Sequence, residues 1–221
     1  MSSKQTSGSA GLARGWLLLG IVYAVFFYWY TPLGGPLSRE EITHFSEVLE
    51  QSPGMDDERV RAWVQFMETD TGDDWAMWNA VELADHPEQI PGVGVNETSE
   101  EVVGRYAEPF FLKSFQRASH PVLMGDAAAP ALDIWGIEGG ERWDSGLLVR
   151  YRSRRDIMEI LEEIVTSEDS IYAFKVAALH KTIAFPLDPW FHPGDPRLLL
   201  GLIFLVLGLL LQLRHNRKAR S

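Results

Sequence analysis

The sequence predicts an α+β fold: a ferredoxin-like βαββαβ domain preceded by two extra N-terminal helices and flanked by two transmembrane helices. Three observations predict it. Two uncharged apolar runs lie near the ends of the 221-residue chain, each beside basic residues. The net charge of −11 divides unevenly, with +6 in residues 1–30 and 198–221 together and −17 in residues 31–197. Inside that acidic middle the hydrophobic period changes from helical to strand-like near residue 75, and elements then follow in the order β-α-β-β-α-β.

No charge stands between Arg14 and Arg39, and Trp16–Tyr30 reads WLLLGIVYAVFFYWY. A helix needs about 20 apolar residues to cross the hydrocarbon of a bilayer, so residues 15–33 are assigned as the first span. Trp16, Tyr28, Trp29 and Tyr30 suit the interfacial belts. The aromatic end Phe26–Tyr30 lacks the small-x-small pattern of a peptidase site, so the run reads as an uncleaved anchor. The second span, residues 198–213, has 16 uncharged residues. Snorkelling of Arg197 and Arg214, or local thinning, makes up the length. Its Gly201 and Gly208 offer a small-residue face to a partner helix. The positive-inside bias places the tails, residues 1–14 and 214–221, in the cytoplasm of a cell with this protein in its inner or plasma membrane. Residues 34–197 are then extracytoplasmic.

Pro32, Gly34, Gly35 and Pro36 end the first span and lead into a helical segment over 37–72. Ser38 with Glu41 makes a capping box, and Ile42, Phe45, Val48 and Leu49 recur at helical spacing until Ser52-Pro53-Gly54. A second amphipathic stretch from Asp57 carries Val60, Trp63, Val64 and Met67 on one face, and the loop Asp70–Asp74 ends it. The ferredoxin-like domain is assigned to 73–190. Its first strand covers Ala76–Leu83. Thr98 and Glu101 cap a helix with Val102, Tyr106, Phe110 and Phe111 on its apolar face, which Pro109 is expected to kink or divide. Pro121–Gly125 reads as the second strand, resumed at Leu132–Trp135, and Leu147–Arg152 as the third. Ser153 and Asp156 cap the next helix, with Ile157, Ile160, Leu161 and Ile164 inward. Val176–Pro186 reads as the fourth strand. Such an antiparallel sheet carries both helices on one face, and its other face needs a cover. Two covers are open: the sheet of a second copy, making a homodimer, or the two helices before residue 75.

Trp78-Asn79-Ala80-Val81-Glu82, Arg105-Tyr106-Ala107, Ser119-His120-Pro121, Trp143, the run Val149–Asp156 and the run Phe174–Thr182 together resemble the dimeric α/β-barrel superfamily. The likeness is to its uncharacterised domain-of-unknown-function branch, in a membrane-anchored form, over about residues 73–188. It implies pairing of two copies and a pocket, where there is one, between sheet and helices. Relatives of that kind include cofactor-independent monooxygenases, small isomerases, haem enzymes and proteins with no known reaction.

The acidic balance argues against nucleic-acid binding, which needs a basic footprint. With no cysteine there is no disulfide, thiol nucleophile or thiolate metal site. The six histidines show no paired metal-ligand spacing, so no metal and no cofactor are expected. His120 and His180 are the catalytic candidates, as general base or haem ligand, beside a reading as ordinary structural histidines. Arg150 and Arg152 share a strand face and suit an anion clamp, beside a reading as ion-pair partners of the surplus acids. Asn79, Trp78 and Tyr106 complete the ligand-binding candidates, beside readings of Asn79 as holding a backbone edge and of Tyr106 as core; in the enzyme alternative Trp78, Tyr106, Phe110 and Phe111 line the pocket. The expected function is ligand or partner binding without chemistry. The alternatives are an oxygenase- or isomerase-type enzyme and a structural subunit of a membrane complex, where a membrane protein is the partner.

Overall fold

In a computed structural model, residues 2–52, 55–166 and 171–220 are described. Pro53 and Gly54, expected to stop a helix, lie outside the described residues, as do Met1 and Ser221 at the ends of the tails. The elements in order are α1 (Ser2–Tyr30), α2 (Arg39–Glu50), α3 (Asp57–Glu68), β1 (Trp75–Leu83), α4 (Ser99–Gln116), β2 (His120–Asp126), β3 (Ser145–Tyr151), α5 (Arg154–Val165), α6 (Tyr172–Ala178), β4 (Leu179–Leu187) and α7 (Pro196–Arg220). Contacts divide the chain into two units, residues 1–31 with 190–221 and residues 32–189.

The first unit is a helix pair. Ala10–Tyr30 and Pro196–Lys218 are each long and apolar enough to cross a membrane. The two helices run antiparallel, because Gly15 lies beside Leu211, Tyr23 beside Gly201, and Tyr30 under the Arg197 guanidinium. The Trp16 indole rests directly on Gly208, where any side chain would collide with it. The Tyr23 hydroxyl donates to the Arg197 carbonyl at 3.0 Å.

The second unit is a mixed α+β domain. Its sheet has the order β2-β3-β1-β4 with every neighbouring pair antiparallel. Strand alternation sends Trp75, Met77, Val149 and Tyr151 to one face, where they join Tyr106, Phe110, Ile157, Ile160 and Ile164 in the main core. The capping boxes Ser38/Glu41 and Thr98/Glu101 both form and start α2 and α4. Phe45, Leu49 and Met67 belong to the same core, and Phe66 packs edge-on against Trp75 at 4.7 Å. Thus α2 and α3 widen the helix layer and do not cover the opposite sheet face.

Three local expectations need correction. Residues 176–178 end α6 instead of starting a strand, because Ala177 and Ala178 are buried against Val102. Leu132–Trp135 forms no strand and belongs to the long β2–β3 loop. Pro109 does not divide α4, which continues to Gln116. Packing of Tyr106 and Phe110 on either side of the proline offsets the lost hydrogen bond, a cost of about 3 kcal/mol.

Two backbone positions fix the entry to the sheet. Gly72 has φ +81° and lies against the Gly35–Pro36 peptide, with 2.8 Å left for any Cβ. Asp70 accepts from the Leu37 amide at 2.8 Å and the Gly72 amide at 3.0 Å, closing this loop. Ala118, with φ +53°, turns the chain from α4 into β2.

Candidate functional site

The sheet face away from the helices is built from even-numbered residues of β1 and their cross-strand neighbours. Leu123, Leu148, Trp78 and Phe185 form one row across all four strands, and Gly125, Gly146, Ala80 and Ile183 form the next. Leu123 is 59% exposed, Phe185 43% and Ile183 42%. The Trp78 ring lies over Gly146, where a Cβ would stand 3.4 Å from it. At one end of the face the buried Glu82 carboxylate receives Lys181 Nζ at 2.7 Å and Arg142 Nε at 3.5 Å. At the other end lies the row His120, Arg150, Ala76 and Leu187. This is an apolar band with charged ends, a surface that can bury against another protein and offers no general base or nucleophile at its centre.

The candidate residues read from the sequence do not converge. Trp78 lies on the free face, whereas Tyr106 and Phe110 are buried on the helix side and stack at 5.4 Å. Asn79 also points to the helix side, half-buried between Leu147 and Ala184, with Nδ2 donating to the Met77 carbonyl at 3.2 Å. His120 and His180 stand on the two opposite edge strands, β2 and β4. His120 is half-buried, its Nδ1 donating to the Pro121 carbonyl at 3.0 Å, and His180 is exposed. His180 is the second residue of β4.

Arg150 and Arg152 are engaged by acids of the chain. Arg150, 2% exposed, places Nε and Nη2 each 2.9 Å from Asp74 Oδ2 and donates from Nη1 to the Ala118 carbonyl at 2.7 Å. Arg152 makes a two-point pair with Asp156, at 2.9 and 2.5 Å. Asp156 also accepts from the Ser153 hydroxyl. An added anion would have to displace these carboxylates.

The expected pocket between sheet and helices is occupied by Trp75, Tyr106, Phe110, Val149, Tyr151 and Ile160. Burial pushes the Tyr106 and Tyr151 phenols above their ordinary range, consistent with packing instead of proton transfer.

Lys175 carries functional potential that the sequence reading missed. Its ammonium lies 5.3 Å from the Tyr106 ring and 5.8 Å from the Tyr172 ring, and burial lowers its pKa. A signal was present: residues 170–187 contain no acid in an otherwise acidic domain. The β2–β3 loop is a second such feature. It is tied by Ala127 N to Asp144 O at 2.8 Å and Ala131 N to Glu141 O at 2.9 Å, yet Leu132 and Trp135 are 95% and 96% exposed.

No family model matches this chain, and no curated protein matches it. Among solved structures it is similar to the RPA0582 protein, in its methylated form, at 20% identity and a TM-score of 0.48, over 61% of this chain and 93% of that one. A second structure of RPA0582, a protein of unknown function from Rhodopseudomonas palustris, matches at 19% identity and a TM-score of 0.47, over 60% of this chain and 94% of that one.

Proposed function

We propose that this chain is a membrane-anchored binding protein: two transmembrane helices hold a ferredoxin-like domain outside the cytoplasm, and the free face of its sheet pairs with a second copy. The strand order β2-β3-β1-β4, antiparallel throughout, supports the ferredoxin-like assignment and with it the likeness to dimeric α/β barrels. The basic residues at the Gly15/Leu211 end of the helix pair support cytoplasmic termini.

One observation carries the reading. The row Leu123–Leu148–Trp78–Phe185 crosses the whole sheet, and α2 and α3, the alternative cover, pack on the other side. A contiguous apolar face of this kind marks an interaction surface, and two-fold pairing is the commonest way to cover it. The filled helix-side core favours this reading over an enzyme with an internal pocket.

The test is mass photometry of the full chain in mild detergent. Wild type is expected at the mass of two chains, and Trp78→Glu with Phe185→Glu at the mass of one. A wild type that stays monomeric at every concentration overturns the pairing. The competing enzyme reading draws on Lys175, a half-buried amine of lowered pKa beside two tyrosines. Reductive trapping of a carbonyl compound on Lys175 at neutral pH would favour it.

A further inference from the structure

Trp190 is 94% exposed and Phe191 71%. Their rings meet each other at 6.1 Å, and both residues belong with the helix pair and not with the α+β domain. Two rings of this size standing in water forgo the transfer free energy that an apolar cover would return.

The chain around them is uncharged. Residues 189–194 read PWFHPG, without Asp, Glu, Lys or Arg. The next acid, Asp195, is neutralised by Arg197, whose Nε and Nη2 lie 2.9 and 2.6 Å from Oδ2. Asp195 also starts α7: its carbonyl accepts from the Leu199 amide at 3.1 Å and its carboxylate from the Arg197 amide at 2.8 Å. Its own amide donates to the His192 carbonyl at 3.2 Å, so residues 192–195 turn tightly. Phe191 is five residues from Pro196, within about 17 Å at full extension and closer through that turn.

The length of α7 brings the bilayer to them. Leu198–Leu213 is 16 residues, about 24 Å of helix against about 30 Å of hydrocarbon. Measured from Arg214, the hydrocarbon therefore extends about four residues beyond Leu198, and a headgroup layer of about 5–8 Å lies outside it. Arg197 is fit for that boundary, paired with Asp195 and lying over the Tyr30 ring at 5.5 Å. Tyr28 and Trp29, exposed on α1, mark the same end of the helix pair. Indole and phenol rings, apolar with one polar group, favour the headgroup layer.

We propose that Trp190 and Phe191 insert into the headgroup layer of the membrane that α1 and α7 cross, as a second anchor that sets the depth of the short α7. The proposal rests on the reading of α1 and α7 as spans. A soluble protein partner would have to reach the pair inside that layer, and the uncharged segment offers it no ion pair.

The chain has no cysteine, so Phe191→Cys takes a single nitroxide label. The labelled full chain is placed in phosphatidylcholine nanodiscs. Relaxation of the label by oxygen, which concentrates in lipid, is compared with relaxation by a water-soluble nickel chelate. Oxygen is expected to act more strongly than nickel, and adding Trp190→Ser is expected to reverse that order. Trp190→Cys, labelled with Phe191 kept, is expected to show the same dominance of oxygen. Both side chains are exposed, so neither substitution removes packing. Stronger relaxation by nickel at both labels puts the segment in water and overturns the proposal. Weak relaxation by both reagents puts it under protein, the domain or a second copy, and overturns it as well. Dominance of oxygen that survives Trp190→Ser shows that the spans alone hold the segment there, and overturns the anchoring role. Failure of the underlying reading looks different: the protein leaves native membranes in an alkaline carbonate wash.

Discussion

The guanidinium of Arg155 grips both carboxylate oxygens of Glu41, with Nε 2.5 Å from Oε1 and Nη2 3.2 Å from Oε2. The same side chain donates to the carbonyls of Gly35 and Pro36, so the first turn of α5 holds the segment that enters the domain. Arg154 acts in parallel. It lies over the Phe66 ring at 4.3 Å, donates to Thr69 Oγ1 at 2.8 Å and stands 3.6 Å from Asp70. Two cations in the first turn oppose the helix dipole, and these partners offset that cost.

The Glu41 pair makes stability depend on acid. Its hydrogen bond to Arg155 holds the Glu41 carboxyl at about 2, against an ordinary 4.5. A depressed folded-state pKa gives stability that is complete above the ordinary value and is lost as pH falls from 4.5 toward 2. Glu41→Gln is expected to lower stability at pH 7 by about 1 kcal/mol or less, because the pair is partly solvated. The gap to wild type should close on acidification through that window, as read by melting temperature against pH.

Arg150 is expected to matter for folding and not for anion binding. Arg150→Met removes the cation from Asp74 and a donor from the Ala118 carbonyl. The expected cost is about 3 kcal/mol, measured by chemical denaturation in mild detergent with tryptophan fluorescence. Adding Asp74→Asn should recover part of the loss.

Two backbone substitutions should have opposite signs. Gly72→Ala forces a Cβ into the Gly35–Pro36 peptide at positive φ, and a loss of about 2 kcal/mol or more is expected. Ala118→Gly relieves a left-handed alanine and should gain up to about 1 kcal/mol. Both are read by the same denaturation curves.

Lys175 should make stability rise with pH. Burial lowers its folded-state pKa below the ordinary 10.5, so between those two values the unfolded chain holds a proton that the folded chain lacks, and stability climbs across that interval. Lys175→Met should remove this slope, seen as a smaller change in melting temperature as pH rises toward 10.5 than wild type shows.

Much of the fold is legible because its signals are local. The capping boxes Ser38/Glu41 and Thr98/Glu101 span three residues each, and both helices begin where the motif puts them. Where a tertiary contact decides, the sequence misleads. Val176 suggests a strand, but the burial of Ala177 and Ala178 beside Val102 holds the turn helical. Leu132–Trp135 has strand composition but pairs with no strand edge. The candidate site is the least legible part. Trp78 and Tyr106 are both aromatic and near in the pattern, yet alternation along β1 sends Trp78 to the face opposite the helices. The partner of Arg150 lies 76 positions away, beyond any spacing rule.

The order of the strands sets a timetable for synthesis. β1 is the inner strand between β3 and β4, but β4 is translated roughly 100 residues after it. At about 5–20 residues per second, one edge of β1 therefore waits on the order of ten seconds for its neighbour. During that interval the nascent domain exposes a raw hydrogen-bonding edge, a natural foothold for a chaperone or for a neighbouring nascent chain.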